Sequence, residues 1–235
     1  MYKLHIGNKN YSSWSFRPWL LMTELTIPFK EQMNPFAEDS NWDKFRSFSP
    51  TGLVPCLEDL TAENKLAIWD SLAIIEYLAE DYPNVWPAQK EARAWARSAA
   101  AEMHSGFSYI RNQWPMNCAL RIEPFSISSC LQKELNRLEE LWNEGLSRFS
   151  GPYLAGDKFT AVDAFYAPII FRFRTFGYKL TGKPLEYYNL MHSIDSVQRW
   201  DSEAIVEPWR EVSHELEFVE TGKIIKDHRE NQPEK

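Results

Sequence analysis

Two adjacent serines at the start of a predicted helix are the first candidates for chemistry. Ser12 and Ser13 follow a strand-like segment at residues 2–7 and precede an apolar-periodic segment at residues 14–25. A helix N-terminus offers unpaired N–H groups and a partial positive charge, which favour an anion, and a hydroxyl there can donate one more hydrogen bond. Such a site is suited to a thiolate. The alternative is that each serine is only an N-cap, because serine is favoured there in any helix.

The second candidate is a proline that leads into a predicted strand. A proline in a sheet removes a ladder donor and is confined to an edge or to the first residue of a strand. If the Val54–Pro55 bond is cis, the N–H and C=O of Val54 point outward, and an extended peptide can pair with them as an added strand. An ordinary trans proline in a turn is the alternative.

The third candidate is the pair Asp70 and Ser71, which opens another predicted helix. The hydroxyl and N–H of Ser71 can bind a carboxylate at the helix N-terminus, and Asp70 can hold an ammonium group. The alternative is a plain aspartate N-cap. The three features together describe a site for a small peptide with an amino-acid-like end, an extended middle and an anion at the far end. Glutathione fits this description.

Composition and charge exclude several classes of protein. The 235 residues carry 26 basic and 33 acidic side chains, a net charge of −7, so no nucleic-acid partner is expected. No apolar run approaches the roughly 20 residues that span a bilayer, and residues 1–25 lack the pattern of a signal peptide. Cys56, Cys118 and Cys130 form no CxxC pair, which predicts reduced, mostly buried thiols in a cytoplasmic protein.

The positions of the predicted elements divide the chain into two domains. Residues 1–81 alternate short strands and helices, which predicts an α+β domain with a small mixed sheet. The strands are predicted at residues 2–7, 28–33, 54–58 and 66–69, and the helices at residues 14–25, 41–48 and 70–80.

The second domain is predicted to be all helical. Residues 82–88 resemble a linker, residues 89–220 form the helical domain, and the polar segment 221–235 is expected to be disordered. The helices of this domain are predicted at residues 90–114, 130–149, 160–176, 186–200 and 208–219.

Four motifs, in order along the chain, resemble the glutathione transferase superfamily. They are the serine motif at residues 12–17 (Ser-Ser-Trp-Ser-Phe-Arg), similar to the Ser-Ser-Cys-x-x-Arg motif of the zeta class; Val54-Pro55 at the cis-proline position; Asp70-Ser71 at the Glu/Gln-Ser position; and residues 156–163 at the capping motif. The resemblance extends from residue 1 to about residue 215. It implies a thioredoxin-like domain followed by an all-helical domain. In the capping motif, Thr160 and Asp163 also read directly as a structural capping box.

The resemblance assigns roles around glutathione. Ser12 would activate the thiol, with Ser13 as the alternate, because adjacent serines cannot be ranked from sequence. Val54, which precedes Pro55 at the family's cis-proline position, would bind the cysteinyl backbone of glutathione. Asp70 and Ser71 would bind the γ-glutamyl end, and Lys44 is a candidate for the glycyl carboxylate. No metal is expected.

The electrophile would lie against the first helix of the second domain. Its candidate residues recur at helical spacing; they are Met103, His104, Phe107, Ser108 and Arg111, with Trp14 overhanging the thiol. Arg111 is the first polar candidate and His104 the second. In the alternative, Met103 and Phe107 are core residues, and His104 and Arg111 are solvated or paired.

The implied function is a glutathione transferase that attacks a small, largely apolar electrophile, in a protein that is a homodimer like most of the family. A glutathione-dependent cis-trans isomerase and a non-catalytic glutathione-binding protein are the alternatives. Trp14 stands where the zeta motif has cysteine, and Arg17-Pro18 replaces Arg-Val. These departures put the zeta-class isomerase activity in doubt and favour a separate bacterial-type branch. A redox role for Cys56 is not expected, because a strand interior is a poor place for a reactive thiol.

Overall fold

Four short strands form one mixed sheet in the first part of the chain. The structure, a computed structural model, describes residues 1–36, 40–62 and 66–229. The strand order is β2-β1-β3-β4, in which β1 is parallel to β2 and antiparallel to β3, and β3 is antiparallel to β4. The strands are β1 (Tyr2–Ile6), β2 (Phe29–Met33), β3 (Cys56–Asp59) and β4 (Leu66–Trp69), and the helices are α1 (Ser13–Glu24), α2 (Trp42–Arg46) and α3 (Ser71–Asp81).

The second part is mostly helical. Its helices are α4 (Lys90–Ser105), α5 (Ser108–Gln113), α6 (Ser129–Arg148), α7 (Ala161–Phe176), α8 (Gly182–Ser193), α9 (Asp195–Val206) and α10 (Val212–Thr221). The segment predicted as a linker contains a single 3₁₀ turn, Pro83–Val85. Together with the sheet domain, this arrangement confirms the predicted fold class, a thioredoxin-like domain followed by a helical domain.

Helix α7 is the centre of the second part and packs against α1 of the first. Almost all of its side chains are buried, and Phe171 contacts Phe16 of α1 with ring centroids 5.4 Å apart. The capping box at its start is confirmed, because the Asp163 carboxylate accepts hydrogen bonds from Thr160 N at 2.9 Å and Leu154 N at 3.0 Å. These bonds fix the start of the helix that packs against α1.

Two predicted single helices are in fact pairs. The helix predicted over residues 90–114 breaks after Ser105, where Phe107 takes a left-handed conformation with φ of +54°. A side chain at Gly106 would lie 2.7 Å from Glu102 O, so glycine permits the tight turn. The helix predicted over residues 186–200 breaks at Ile194, which is extended between α8 and α9.

The prediction of a disordered C-terminal tail is wrong for residues 222–229. Strand β6 (Gly222–Asp227) pairs antiparallel with β5 (Leu120–Pro124), a strand that sequence reasoning also missed. The guanidinium of Arg229 is 4% exposed and contacts the carboxylates of Glu215 and Asp227. The pairing and the buried cation therefore order a segment of polar composition. Residues 230–235 lie outside the described residues.

The cysteines mostly follow the prediction. Cys56 and Cys118 are buried free thiols, and Cys130 is an exposed one. Burial raises the pKa of Cys56 to about 11, which agrees with an unreactive thiol. No helix in the described ranges is both long and apolar enough to cross a bilayer.

Candidate active site

Two adjoining cavities lie between the loop with Ser12 and Ser13 (the serine loop), the loop with Val54 and Pro55 (the proline loop) and the start of α3. The first, of about 230 Å³, includes Ser12 and Ser13 in its lining and is called the serine cavity. The second, of about 410 Å³, includes Asp70 and Ser71 and is called the aspartate cavity. Both are lined by Trp14, Leu53 and Val54. All three motifs predicted from the sequence therefore open onto one groove.

Ser12 is tied into the turn that starts α1. Its hydroxyl donates to the Ser15 hydroxyl at 2.7 Å and accepts from Ser15 N at 3.4 Å. The Ser15 oxygen in turn accepts from Gly7 N at 3.1 Å, which holds the loop against the end of β1. Ser12 is thus an N-cap of α1, as one reading of the sequence proposed.

Ser13 has a different partner, which the sequence did not reveal. Its hydroxyl oxygen accepts a hydrogen bond from Nη2 of Arg172 at 3.2 Å, and both residues are buried. Arg172 lies on α7, and its Nη1 also donates to Trp114 O and Arg111 O at the end of α5. The second domain therefore reaches directly into the serine loop.

The proline loop offers free backbone at the junction of the two cavities. The Val54–Pro55 bond is cis. Neither the N–H nor the C=O of Val54 forms a hydrogen bond with any residue that the structure describes. An extended peptide lying in the groove can pair with this backbone, as a strand adds to a sheet edge.

Asp70 and Ser71 combine a helix cap with unused hydrogen-bonding capacity. Asp70 has a φ of +76°, and its Oδ1 accepts from Leu72 N at 2.8 Å. Its Oδ2 lies 3.3 Å from Nε2 of His104. The Ser71 hydroxyl is buried with no partner within the described ranges. An uncommon backbone conformation and a buried free hydroxyl at one spot are typical of a binding site.

Trp14 separates the groove from a group of cationic side chains. The Arg17 guanidinium lies 4.0 Å from the indole centroid and that of Arg111 lies 5.4 Å away. The His104 ring meets the indole edge-on at 5.3 Å. Burial and the nearby arginines hold the pKa of His104 below its usual value, although Asp70 acts in the opposite sense. Burial therefore favours the neutral imidazole of His104 beside the Asp70 carboxylate.

The other residues predicted for the electrophile lie elsewhere. Met103 and Phe107 are 1% and 5% exposed and belong to the hydrophobic core, which corrects their assignment to the cleft. Arg111 donates to Met103 O and His104 O, so it is the paired residue that the alternative proposed. Ser108 is exposed at the start of α5. The helical spacing of apolar residues therefore identified the face of the helix that packs in the core, and not a face that lines the cavity.

Lys44 does not line the groove. Its ammonium donates a hydrogen bond to Pro35 O at 3.0 Å. Lys44 is not among the described residues that line either cavity. No lysine or arginine among the described residues lines either cavity. The glycyl end of a bound peptide therefore has no assigned cation.

Sequence reasoning missed the contribution of the C-terminal segment and of α7. His214 of α10 lines the serine cavity and stacks on Tyr11, with ring centroids 5.0 Å apart, and on Phe36 at 5.5 Å. No motif in the sequence around His214 indicated that it would line the site. Arg172 did offer a signal, because it is a charged residue inside a predominantly apolar helix, and such residues are rarely buried without a reason.

A larger cavity, of about 860 Å³, lies away from these motifs. It is bounded by the end of α1, the segment after α3 and the loop that precedes α7, with Trp86, Phe149 and Tyr153 among its lining. None of the predicted site residues lines it. Size alone therefore does not locate the chemistry.

The two parts of the chain each match a family of known proteins. The family models described as glutathione S-transferase, N-terminal domain and glutathione S-transferase, C-terminal domain match residues 11–81 and 93–200. The chain is 28% identical over 191 residues to glutathione S-transferase GstB of Escherichia coli strain K12, which covers 77% of this chain and 83% of that protein.

Solved structures show the same fold. A glutathione transferase homolog from Burkholderia gl BGR1, with bound glutathione, superposes with a TM-score of 0.61 at 21% identity and covers 86% of this chain and 97% of that one. Ure2p in complex with glutathione superposes with a TM-score of 0.64 at 18% identity, and covers 86% of this chain and 93% of that one. Both were crystallised with glutathione.

Proposed function

Because this chain belongs to the glutathione S-transferase family, we propose that it binds glutathione in the groove and activates its thiol for attack on an electrophile. The observation that supports this most is the continuity of the serine and aspartate cavities through Trp14, Leu53 and Val54. One extended tripeptide spanning both cavities would meet the N-terminus of α3 at its γ-glutamyl end and the N-terminus of α1 at its cysteinyl sulfur. The serine-type, bacterial-branch motif at residues 12–17 belongs to the same proposal.

Each part of glutathione has a partner of matching chemistry. The γ-glutamyl ammonium binds Oδ2 of Asp70, and the carboxylate beside it accepts from the hydroxyl and the N–H of Ser71 at the start of α3. The cysteinyl backbone pairs with Val54. The sulfur then lies in the serine cavity, between Ser12 and Ser13. Lys44 remains the candidate for the glycyl carboxylate, because its exposed side chain can rotate away from Pro35.

Thiol activation requires a modest free energy. A thiol with a pKa near 8.5 is only a few per cent ionised at neutral pH. Lowering its pKa by about 1.5–2 units needs roughly 2–3 kcal/mol of thiolate stabilisation. One charge-assisted hydrogen bond and the N-terminus of α1 can supply about that much. The thiol proton leaves to solvent, the thiolate forms a carbon–sulfur bond, and the leaving group departs with its electron pair.

The electrophile is proposed to be small and largely apolar. The groove near the sulfur is walled by Trp14, Leu53 and Phe36, and its other polar neighbours besides the two serines are Tyr11, Asn41 and His214. Apolar walls with few polar groups suit an uncharged electrophile. A detoxification role in the cytoplasm belongs to this proposal.

Two measurements test the proposed function. Titration calorimetry with glutathione is expected to show binding, and turnover of an aryl halide is expected to release halide with consumption of one glutathione. Turnover of a cis-enediketone with no net loss of glutathione would identify the isomerase instead. Binding without turnover of either compound would identify a non-catalytic binding protein.

We also propose that the protein is a homodimer. Leu66 lies on the outer strand β4 and is 42% exposed. Apolar side chains on an edge strand are typical of a surface that another chain covers. Light scattering would give twice the mass of 27.6 kDa for a dimer, and a mass of one chain would exclude it.

A further inference from the structure

The two serine hydroxyls differ in what they can still donate. The Ser12 proton is engaged with Ser15 Oγ at 2.7 Å. The Ser13 oxygen instead accepts a hydrogen bond from Arg172, so its own proton is left for another acceptor. A hydroxyl has one proton and can accept more than one hydrogen bond. Ser13 is thus held as a donor, whereas Ser12 is already used as one.

Arg172 belongs to a group of three arginines near this hydroxyl, of which Arg17 and Arg172 are buried and Arg111 is partly buried. Arg17 and Arg111 flank the Trp14 indole, and Arg172 reaches Ser13. None of the three forms an ion pair with a carboxylate in the described part of the chain. Arg111 and Arg172 donate to carbonyls at the ends of α4 and α5, and Nε and Nη1 of Arg17 have no partner there at all.

Such an arrangement is costly without an anion. A cation taken out of water is stabilised mainly by an opposite charge, and helix C-termini supply only part of one. Burial, followed by repulsion from the neighbouring arginines, lowers the pKa of Arg17 to about 9, and burial and Arg111 lower that of Arg172 to about 9. All three remain cationic at neutral pH, and an anion in the serine cavity would relieve their repulsion.

The charged and titratable groups around the arginines do not neutralise them. Those that act on Arg172 are Arg111 of α5 and Glu217 of α10, and those that act on Arg17 are Arg172, Arg111, Asp70 and Tyr166. Glu134 of α6 acts on Arg111 but forms no ion pair with it among the residues described. Glu217 forms no ion pair with Arg172 among the residues described. Asp70 contacts His104 and would be engaged by the ammonium of the peptide.

Resting on the proposed function, we propose that Ser13 rather than Ser12 donates to the glutathione sulfur, and that Arg172 is the positioning residue that makes it a donor. Nη2 of Arg172 occupies one lone pair of Ser13 Oγ and turns the Ser13 proton toward the sulfur. The thiolate supplies the anion that the arginines lack. Arg172 of the second domain thereby helps to lower the pKa of the glutathione thiol that is bound to the first domain.

The experiment is a titration of the thiol of bound glutathione by its ultraviolet thiolate absorbance. The variants are Ser12→Ala, Ser13→Ala, Arg172→Lys, Arg172→Met and the double variant Ser13→Ala/Arg172→Met. Arg174→Met is the matched control, because Arg174 is a partly buried arginine of the same helix whose guanidinium pairs with Asp201 at 2.6 Å. Calorimetry with glutathione checks that each variant is folded and binds.

Ser13→Ala and Arg172→Met are each expected to raise the bound thiol pKa by about one unit, a tenfold loss of thiolate at neutral pH. Arg172→Lys is expected to recover part of that shift, because it keeps the charge. Arg174→Met and Ser12→Ala are expected to change the pKa by less than a third as much. In the Ser13→Ala background, Arg172→Met is expected to add little, because both changes remove one interaction.

Two outcomes would overturn the proposal. In one, Ser12→Ala raises the thiol pKa and Ser13→Ala does not, a comparison that holds even if the Arg172 variants fail to fold. In the other, Arg172→Met shifts the pKa equally with and without Ser13. Failure of the proposed function is distinct, since glutathione would then not bind the wild-type protein or its thiol pKa would not fall.

Discussion

Asp70 performs two tasks with its two carboxylate oxygens, and a single substitution separates them. Oδ1 caps α3 through Leu72 N at 2.8 Å, and Oδ2 faces the groove and His104. Asp70→Asn keeps an oxygen for the cap and removes the negative charge. We expect it to weaken glutathione binding and to leave stability nearly unchanged, because asparagine caps helices as well as aspartate.

The magnitude follows from the exposure of the side chain. Asp70 is 45% exposed, so its bond to an ammonium is partly screened by water. A charge-assisted hydrogen bond discounted for that screening is worth about 1–2 kcal/mol, or roughly a 5- to 30-fold loss of affinity. Asp70→Ala should lose a similar affinity and about 1 kcal/mol of stability as well.

Calorimetry with glutathione and urea unfolding measure the two effects. Asp43→Asn is the matched control, because Asp43 is an exposed aspartate in the first turn of α2 that does not line the groove. A proton NMR titration of His104 adds a second readout, since removal of the Asp70 charge should lower its pKa further. Unchanged affinity in Asp70→Asn, or a loss of stability equal to that of Asp70→Ala, would refute the reasoning.

Three further predictions concern the elements that support the site. Asp163→Ala should lower the free energy of unfolding by about 3–5 kcal/mol in urea, because it strands the buried N–H groups of Leu154 and Thr160; a loss below about 1 kcal/mol would contradict this. Arg229→Met should speed amide hydrogen exchange in β6 at least about tenfold, because two carboxylates lose their buried cation; unchanged exchange would refute it. Burial raises the pKa of the Glu207 carboxyl to about 7, so the folded protein binds this proton more tightly than the unfolded chain does. The protonated carboxyl therefore contributes up to about 3 kcal/mol to the free energy of unfolding, and this contribution is lost as the pH rises from about 4.5 through 7. Glu207→Gln should remove that part of the pH dependence of urea unfolding, and an identical pH profile would exclude it.

Features with a local cause could be predicted from the sequence. The N-caps at Asp70 and Ser12 and the capping box at Thr160 each depend on hydrogen bonds to residues two or three positions away. The corresponding helices begin where the sequence predicts, within a residue. The strand Leu66–Trp69 also has the predicted bounds, because polar residues stand on both sides of its apolar run in the sequence.

Features with a distant cause could not be predicted. The apolar stripe of residues 90–114 continues across Phe107, so nothing in the periodicity indicates the left-handed turn there. Strand β6 is formed by pairing with β5, about 100 residues earlier in the chain, and is anchored by Arg229. Polar composition therefore predicted disorder where tertiary contacts impose order.

The candidate site shows the same division. Its motif residues are contributed by three short segments of the first domain, and all three open onto one groove. Arg172 and His214 reach it from α7 and α10, far away in sequence. Helical spacing selected Met103 and Phe107, which are core residues, because the face toward the core and the face toward the cleft have the same period.

The most direct test of the account is the thiol pKa of glutathione bound to the wild-type protein. Titrated through its thiolate absorbance under saturating protein, the bound thiol is expected to ionise about 1.5–2 units below its free value near 8.5. A bound thiol that titrates like free glutathione would contradict the claim that the start of α1 creates the nucleophile.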